Sequence, residues 1–125
     1  MGKKRKQPLW KSFRYAFEGI GTGVRKERNM KIHCAAAALV VLAGLWLGLS
    51  AVEWCICFGL FGLILALELV NTAVEAVVDL VTEEKKPLAK LAKDTAAGAV
   101  LIAAIMAAAA GLIIFLPKIG AWLTA

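Results

Sequence analysis

Long apolar stretches separated by short polar segments dominate the chain. The apolar stretches cover residues 32–49, 52–67 and 96–116, and the second continues without a proline to Val81. A bilayer core about 30 Å thick requires about 20 apolar residues in a helix, so each stretch predicts a membrane-spanning helix. We therefore expect helices over 31–49, 52–81 and 87–116 that contain the three spans.

The segment before the first span has a different pattern. Apolar residues recur there at spacings of three and four, which traces a stripe along one side of a helix: Trp10, Phe13, Phe17, Ile20 and Val24. Such a stripe beside basic residues is typical of a helix that lies in the membrane interface, although packing against the other helices is an alternative. We expect residues 1–30 to form a basic tail and an amphipathic helix, in an all-α integral membrane protein whose residues 1–125 are a single domain.

Composition and charge agree with a membrane protein and add an orientation. Of the 125 residues, 61% are hydrophobic, while the net charge is +6, which excludes an ordinary soluble domain. Basic residues precede the first span and follow the second, whereas the turn at 50–53 has none. The positive-inside rule then predicts a cytoplasmic N-terminus and 81–95 segment, with the C-terminus outside. The charge lies beside membrane boundaries, which favours anionic lipid over nucleic acid as its partner.

Four polar side chains interrupt the second span. At about 100° per residue in a helix, Glu68, Asn71, Glu75 and Asp79 fall within one narrow stripe. Carboxylates beside lipid are costly unless they are paired, protonated or bound to a cation. The stripe therefore indicates a functional site, with bridging or snorkelling acids at a membrane edge as the structural alternative.

The stripe crosses the predicted cytoplasmic edge of the membrane. Counting about 20 residues from the outer surface puts Glu68 just inside the hydrocarbon and Glu75 just outside. Lys93 and Asp94 lie near the cytoplasmic end of the third span. Hard oxygen ligands and a lysine suit Mg²⁺ with a polyphosphate, and a partly desolvated Glu68 suits deprotonation of a hydroxyl. An ion-coupled carrier using the same carboxylates, or a structural scaffold, are the other classes considered.

Two polar residues near the first span have ordinary interpretations. Glu27 lies among basic residues, which favours a surface ion pair. His33 is more typical of a hydrogen-bonded interface residue than of a metal ligand. The cysteines lie at or inside spans, where they behave as small apolar residues: Cys34, Cys55 and Cys57.

The polar stripe also carries a resemblance. Glu68-Leu-Val-Asn71-Thr-Ala-Val-Glu75-Ala-Val-Val-Asp79, followed by Lys93-Asp94-Thr-Ala-Ala, resembles the signature of the prokaryotic diacylglycerol kinase family. The resemblance covers nearly the whole chain. Glu27-Arg28-Asn29 with His33 is more similar to the Gram-positive members, which phosphorylate undecaprenol, than to the Gram-negative diacylglycerol kinases.

The resemblance implies an activity and an assembly. It implies a lipid kinase of the bacterial cell membrane that depends on ATP and Mg²⁺, with undecaprenol as acceptor and undecaprenyl phosphate as product. Diacylglycerol, which gives phosphatidic acid, is the alternative acceptor. It further implies a homotrimer whose active sites are shared between neighbouring subunits, and no phosphate-binding loop.

The resemblance also implies residue roles. Glu68 is the implied general base on the lipid hydroxyl, and Glu27 and Glu75 are the implied Mg²⁺ ligands, which for Glu27 replaces the surface pair expected from spacing. His33 stands where Gram-negative members have an acid, and its role stays open. The implied contacts to the nucleotide and its phosphates are Tyr15, Glu27, Asn71, Glu75, Glu84, Lys85, Lys86, Lys93 and Asp94.

Overall fold

The structure is a computed structural model that describes residues 6–125, and it is all-helical there. Its helices are α1 (Leu9–Lys26), α2 (Arg28–Leu47), α3 (Ala51–Val81) and α4 (Pro87–Leu123). By length and composition, α2, α3 and α4 could each cross a membrane. The predicted all-α fold with three apolar helices is therefore confirmed. Most of the predicted basic tail falls in residues 1–5, outside the described part of the chain.

The boundaries of α2 differ from the predicted 31–49. The helix begins at Arg28, because Glu27 takes an extended conformation (φ −96°, ψ 119°) that separates it from α1. It ends at Leu47, and Gly48 follows with φ 75°, a backbone conformation that glycine adopts without steric cost. The chain reverses there into α3, whose N-cap is Ser50.

The third apolar helix also extends beyond its predicted end at residue 116. α4 continues through Pro117 to Leu123. A proline is tolerated in an apolar helix where neighbouring groups compensate for the missing hydrogen bond. The final turns also have a packing partner, since the Trp122 and Trp46 rings meet edge to face with centroids 5.6 Å apart.

The helix bundle is held by a small buried core. α3 and α4 form its most extensive contact, and Pro87 occupies the first turn of α4, where its missing N–H costs no hydrogen bond. The buried apolar side chains come from α2, α3 and α4: Met30, Cys57, Ile64, Val100 and Ala103. Many large apolar side chains of the same helices face outward, as expected for surfaces that meet lipid or another subunit.

The C-terminal end of α1 approaches α3 closely. A Cβ atom at Gly23 would lie 2.6 Å from the Leu69 side chain, so a larger residue here would require the Leu69 side chain to move. The apolar side chains along the rest of α1 are exposed, Trp10, Phe13 and Phe17 among them. Within the described chain, they are not packed against the other helices. The close approach at Gly23 brings the turn at Glu27 next to the polar stripe of α3.

Candidate functional site

Glu68 is the most deeply buried charged residue of the polar stripe. It lies on α3 and is 2% exposed, enclosed by α2 and α4. Its carboxylate oxygen Oε2 is 3.8 Å from Nε2 of His33. One turn later, the Thr72 hydroxyl donates a hydrogen bond to the Glu68 backbone carbonyl (3.0 Å). The Thr72 side chain therefore has its hydrogen-bond partner within α3.

Glu68 lines a small cavity that we call the carboxylate pocket. The pocket has a volume of about 240 Å³, and α2, α3 and α4 all contribute to its wall. Its polar lining residues are Asn29, His33, Glu68 and Asn71, and the remainder of the wall is apolar. The buried carboxylate therefore lines a partly open pocket between three helices.

A second cavity continues from the carboxylate pocket along the bundle, and we call it the apolar groove. It has a volume of about 270 Å³ and shares His33 and Ala104 with the pocket. Apart from His33, its lining is apolar and mostly small, and it extends along α4 as far as Gly111. From Ala104 to Gly111 a helix rises about 10 Å. A hydrocarbon chain could therefore lie in the groove with its polar end at Glu68.

Asn71 is buried one turn after Glu68 and has an unsatisfied oxygen. Its Nδ2 donates a long hydrogen bond to Oε1 of Glu75 (3.4 Å). Its Oδ1 is buried and has no hydrogen-bond partner among residues 6–125. Leaving such a group unpaired costs about 1–3 kcal/mol. A buried free carbonyl oxygen of this kind is available to a ligand.

Lys93 connects the start of α4 to the end of the polar stripe. Its Nζ donates to Oδ1 of Asp79 at 2.7 Å, and it also interacts electrostatically with Glu75. Lys93 and Asp79 line a cleft of about 670 Å³ beside the α3–α4 loop, which we call the loop cleft. The other charged residues of the loop cleft are Glu83, Glu84, Lys85, Lys86, Lys90 and Asp94.

Glu27 lies at the site and not in a surface ion pair. It is half-buried as the N-cap of α2, and both Glu27 and Glu75 interact electrostatically with Glu68. Across residues 6–125, none of the ion pairs within 4 Å includes Glu27. The expectation from spacing was wrong because the extended turn at Glu27 and the packing of Gly23 on Leu69 bring this carboxylate toward α3.

The oxygen donors fit a magnesium ion that is shared with a substrate. No group of three or more His, Cys, Asp or Glu side chains among the described residues could hold a metal ion by itself. Mg²⁺ does not require such a cage, because it commonly binds one or two carboxylates together with phosphate oxygens and waters. Glu27 and Glu75, which both interact electrostatically with Glu68, are oxygen donors of the required kind, and Glu75 accepts a hydrogen bond from Asn71.

The structure distributes the predicted site residues over two neighbouring regions. Glu68 and Asn71 line the carboxylate pocket, and the predicted residues 84–86, 93 and 94 line the loop cleft. Asp94 pairs with Lys90 along α4 rather than with a stripe residue. Tyr15 lines neither the carboxylate pocket nor the loop cleft of its own chain. It lies on α1 and is 54% exposed.

Sequence reasoning gave Asp79 no specific role beyond its place in the polar stripe and gave Asn29 no individual role; the structure places both beside site residues. Asp79 belongs to the polar stripe, one turn after Glu75, and that position was the available signal. Its pairing with Lys93 depends on how the α3–α4 loop folds. Asn29 faces Glu68 across the carboxylate pocket, a contact between helices that no local pattern indicates.

Comparisons with known proteins agree on one family. The sequence model described as "Prokaryotic diacylglycerol kinase" matches residues 14–115. The chain is 50% identical over 111 residues to an undecaprenol kinase of Bacillus subtilis, covering 89% of this chain and 90% of that protein. It is 43% identical over 109 residues to a diacylglycerol kinase of Synechocystis sp., covering 86% of this chain and 62% of that protein. It is 32% identical over 93 residues to a diacylglycerol kinase of Escherichia coli, covering 74% and 76%.

Proposed function

This chain belongs to the prokaryotic diacylglycerol kinase family and is a lipid kinase, and we propose that it transfers the γ-phosphate of ATP to the hydroxyl of undecaprenol. The observation that carries the proposal is the burial of Glu68 at the head of the apolar groove. The similarity to the Bacillus subtilis undecaprenol kinase supports this acceptor. The relatives named above are kinases, so the ion-coupled carrier and the scaffold are set aside.

Glu68 acts on the acceptor. The apolar groove holds the first part of the lipid chain, which brings the terminal hydroxyl to the carboxylate pocket. A Glu68 carboxylate oxygen takes the hydroxyl proton while the hydroxyl oxygen bonds to the γ-phosphorus. The bond from that phosphorus to the bridging oxygen breaks, and ADP leaves in line with the attack. No phosphorylated enzyme forms, because donor and acceptor meet directly.

The nucleotide is bound by residues on the solvent side of Glu68. Lys93, held by Asp79, balances the negative charge of the phosphates, and the lysines of the loop cleft add to this field. Asn71 offers its free Oδ1. Glu27 and Glu75 are the residues that would hold Mg²⁺, which when bound supplies positive charge against the transferring phosphoryl group.

The proposal includes the membrane orientation and a homotrimer. Basic residues flank the site, which under the positive-inside rule supports a site at the cytoplasmic face, where ATP is available, and a C-terminus outside. In a trimer with shared sites, Tyr15 would contact nucleotide bound to a neighbouring subunit, since it lines neither cavity of its own chain. The small residues of α4 permit the close helix contacts that such an assembly needs.

Diacylglycerol is the second candidate acceptor. It is supported by the family description and by the 43% identical Synechocystis sp. relative. The apolar groove does not distinguish the two lipids by chemistry, because both offer a hydroxyl attached to hydrocarbon.

The test is phosphorylation by the purified full chain in mixed micelles, with radiolabelled ATP, Mg²⁺ and either undecaprenol or dioleoylglycerol. We expect kcat/KM to be at least about tenfold higher with undecaprenol, a difference typical of pocket discrimination, and product formation to stop with EDTA and resume with added Mg²⁺. A preference for dioleoylglycerol would assign the second acceptor. Absence of phosphorylated lipid with either acceptor would overturn the proposed function.

A further inference from the structure

His33 has a position that the proposed reaction leaves unexplained. It is the single histidine of the chain, and its Nε2 lies 3.8 Å from Oε2 of Glu68, with the two side chains 22% and 3% exposed. Among residues 6–125, no lysine or arginine lies within 4 Å of the Glu68 carboxylate. The His33 imidazole is therefore the ionisable base nearest to the Glu68 carboxylate among the described residues.

His33 also stands at the junction of the two cavities. It lines the carboxylate pocket and the apolar groove, and among residues 6–125 only Ala104, which has no polar side chain, does the same. An alcohol whose chain lies in the apolar groove and whose hydroxyl reaches Glu68 must therefore pass the imidazole. Within the described part of the chain, His33 is the one polar side chain that lines both cavities.

The other elements around Glu68 bring repulsion or no charge. Glu27, at the N-cap of α2, and Glu75, on α3, both interact electrostatically with Glu68 as like charges. From α4, the pocket is lined by Ala97, Val100, Leu101 and Ala104, which carry no charge. α1 approaches through Gly23. Asn29, also on α2, interacts favourably with the Glu68 carboxylate but lines the carboxylate pocket and not the apolar groove. The imidazole is thus the group that attracts the carboxylate from the side of the apolar groove.

We propose that His33 is a positioning residue that holds the Glu68 carboxylate at the head of the apolar groove, facing the incoming hydroxyl. The inference rests on the proposed function, because it takes Glu68 as the base. At 3.8 Å the contact is an electrostatic one, and contacts of this kind commonly shorten into hydrogen bonds when substrate binds.

A spectroscopic experiment tests the contact independently of activity. Because the chain has a single histidine, ¹⁵N-histidine labelling of the full-length protein in micelles reports on His33 alone. We expect Glu68→Gln to change the imidazole ¹⁵N chemical shifts, and Glu53→Gln, near the start of α3, to leave them unchanged. Identical spectra for wild type and Glu68→Gln would overturn the proposal.

A kinetic experiment tests the role. We expect His33→Ala to lower kcat for lipid phosphorylation about 10-fold to 100-fold, the effect of misplacing a catalytic group, while KM for ATP stays within about twofold. We expect His33→Gln to recover part of kcat, because its amide can place an N–H near the Nε2 position. Cys34→Ala, the neighbouring residue that lines neither cavity, is the control and retains wild-type kcat.

The outcomes separate the inference from the proposed function. A His33→Ala variant with wild-type kcat, or one that changes only thermal stability and KM for the lipid, overturns the positioning role while the kinase function stands. A wild-type protein that phosphorylates neither lipid overturns the proposed function and this role with it, and the ¹⁵N spectra then still report whether the His33–Glu68 contact exists.

Discussion

The two ends of the helix bundle differ in whether their polar side chains have partners. The capped end comprises the α2–α3 turn and the last turns of α4. There, Ser50 and Glu53 exchange hydrogen bonds between side chain and backbone in both directions (3.1 and 3.2 Å). Lys118 pairs with Oε1 of Glu53 at 3.2 Å. The main polar side chains at this end therefore have partners within the chain.

The site end comprises the α1–α2 turn, the polar stripe of α3 and the α3–α4 loop. There, Glu68 is buried with an imidazole 3.8 Å away, and Oδ1 of Asn71 lacks a partner within the described chain. Like charges also lie near one another, since Glu27 and Glu75 both interact electrostatically with Glu68. Unsatisfied polar groups lower stability, and proteins tolerate them mainly where function requires them. The capped end therefore stabilises the fold, whereas the site end keeps polar groups free for ligands.

The largest expected effect comes from removing the charge of Glu68. Glu68→Gln keeps the size of the side chain but removes the base, so we expect kcat for lipid phosphorylation to fall about 10²-fold to 10⁴-fold. Folding is expected to be retained, because the substitution removes a buried charge. Radiolabelled product formation and a thermal unfolding curve measure the two effects. An active Glu68→Gln enzyme would exclude Glu68 as the base.

A smaller effect is expected from Lys93, whose charge faces the stripe. Lys93→Met is expected to lower kcat/KM for ATP about 100-fold, as expected when a group that stabilises transition-state charge is removed. Lys90→Met is the comparison variant, because Lys90 lines the same loop cleft but pairs with Asp94 instead of with a stripe residue, so we expect a smaller loss. Steady-state kinetics with varied ATP give both values. Equal losses in the two variants would show that Lys93 contributes only general positive charge.

Replacing Asn71 tests whether it serves the site or the framework, because the two roles predict opposite changes in the free energy of unfolding. Asn71→Leu removes the unsatisfied buried amide, so we expect stability to be retained or to rise by about 1 kcal/mol, while lipid phosphorylation falls about tenfold or more. Thermal unfolding and the kinase assay are run on the same preparation. A clear loss of stability would instead make Asn71 part of the framework.

The smallest effect on activity is expected at the capped end. Ser50→Ala removes the N-cap of α3 and is expected to cost about 1 kcal/mol of stability, with kcat unchanged. Ser12→Ala, on the exposed side of α1, is the control and leaves stability unchanged. Thermal unfolding in micelles measures the difference. A lower kcat in a fully folded Ser50→Ala protein would mean that the two ends are coupled.

The features that are local in sequence could be predicted. Each span follows from a run of apolar residues long enough to cross a bilayer, and the polar stripe follows from helical spacing along α3, since Glu68 and Glu75 are nearly two turns apart. The pattern alone therefore placed the carboxylates on one side of one helix.

The features that join separate elements could not be predicted in this way. The position of Glu27 depends on the extended turn after α1 and on the packing of Gly23 against Leu69. The His33–Glu68 contact and the Lys93–Asp79 pair depend on how α2 and α4 lie against α3. The packing of Trp122, beyond Pro117 on α4, against Trp46 joins residues that lie far apart in sequence. The role of Tyr15 and the trimer remain predictions.

One measurement tests the contrast between the two ends most directly. Glu68→Gln and Glu53→Gln make the same chemical change at the site end and at the capped end, so their initial rates of phosphate transfer to undecaprenol can be compared in the same micelles. We predict a loss of at least about 100-fold for Glu68→Gln and a rate within about twofold of wild type for Glu53→Gln. Similar rates in the two variants would contradict the account, because the buried carboxylate at the groove would then be no more important than a capping residue.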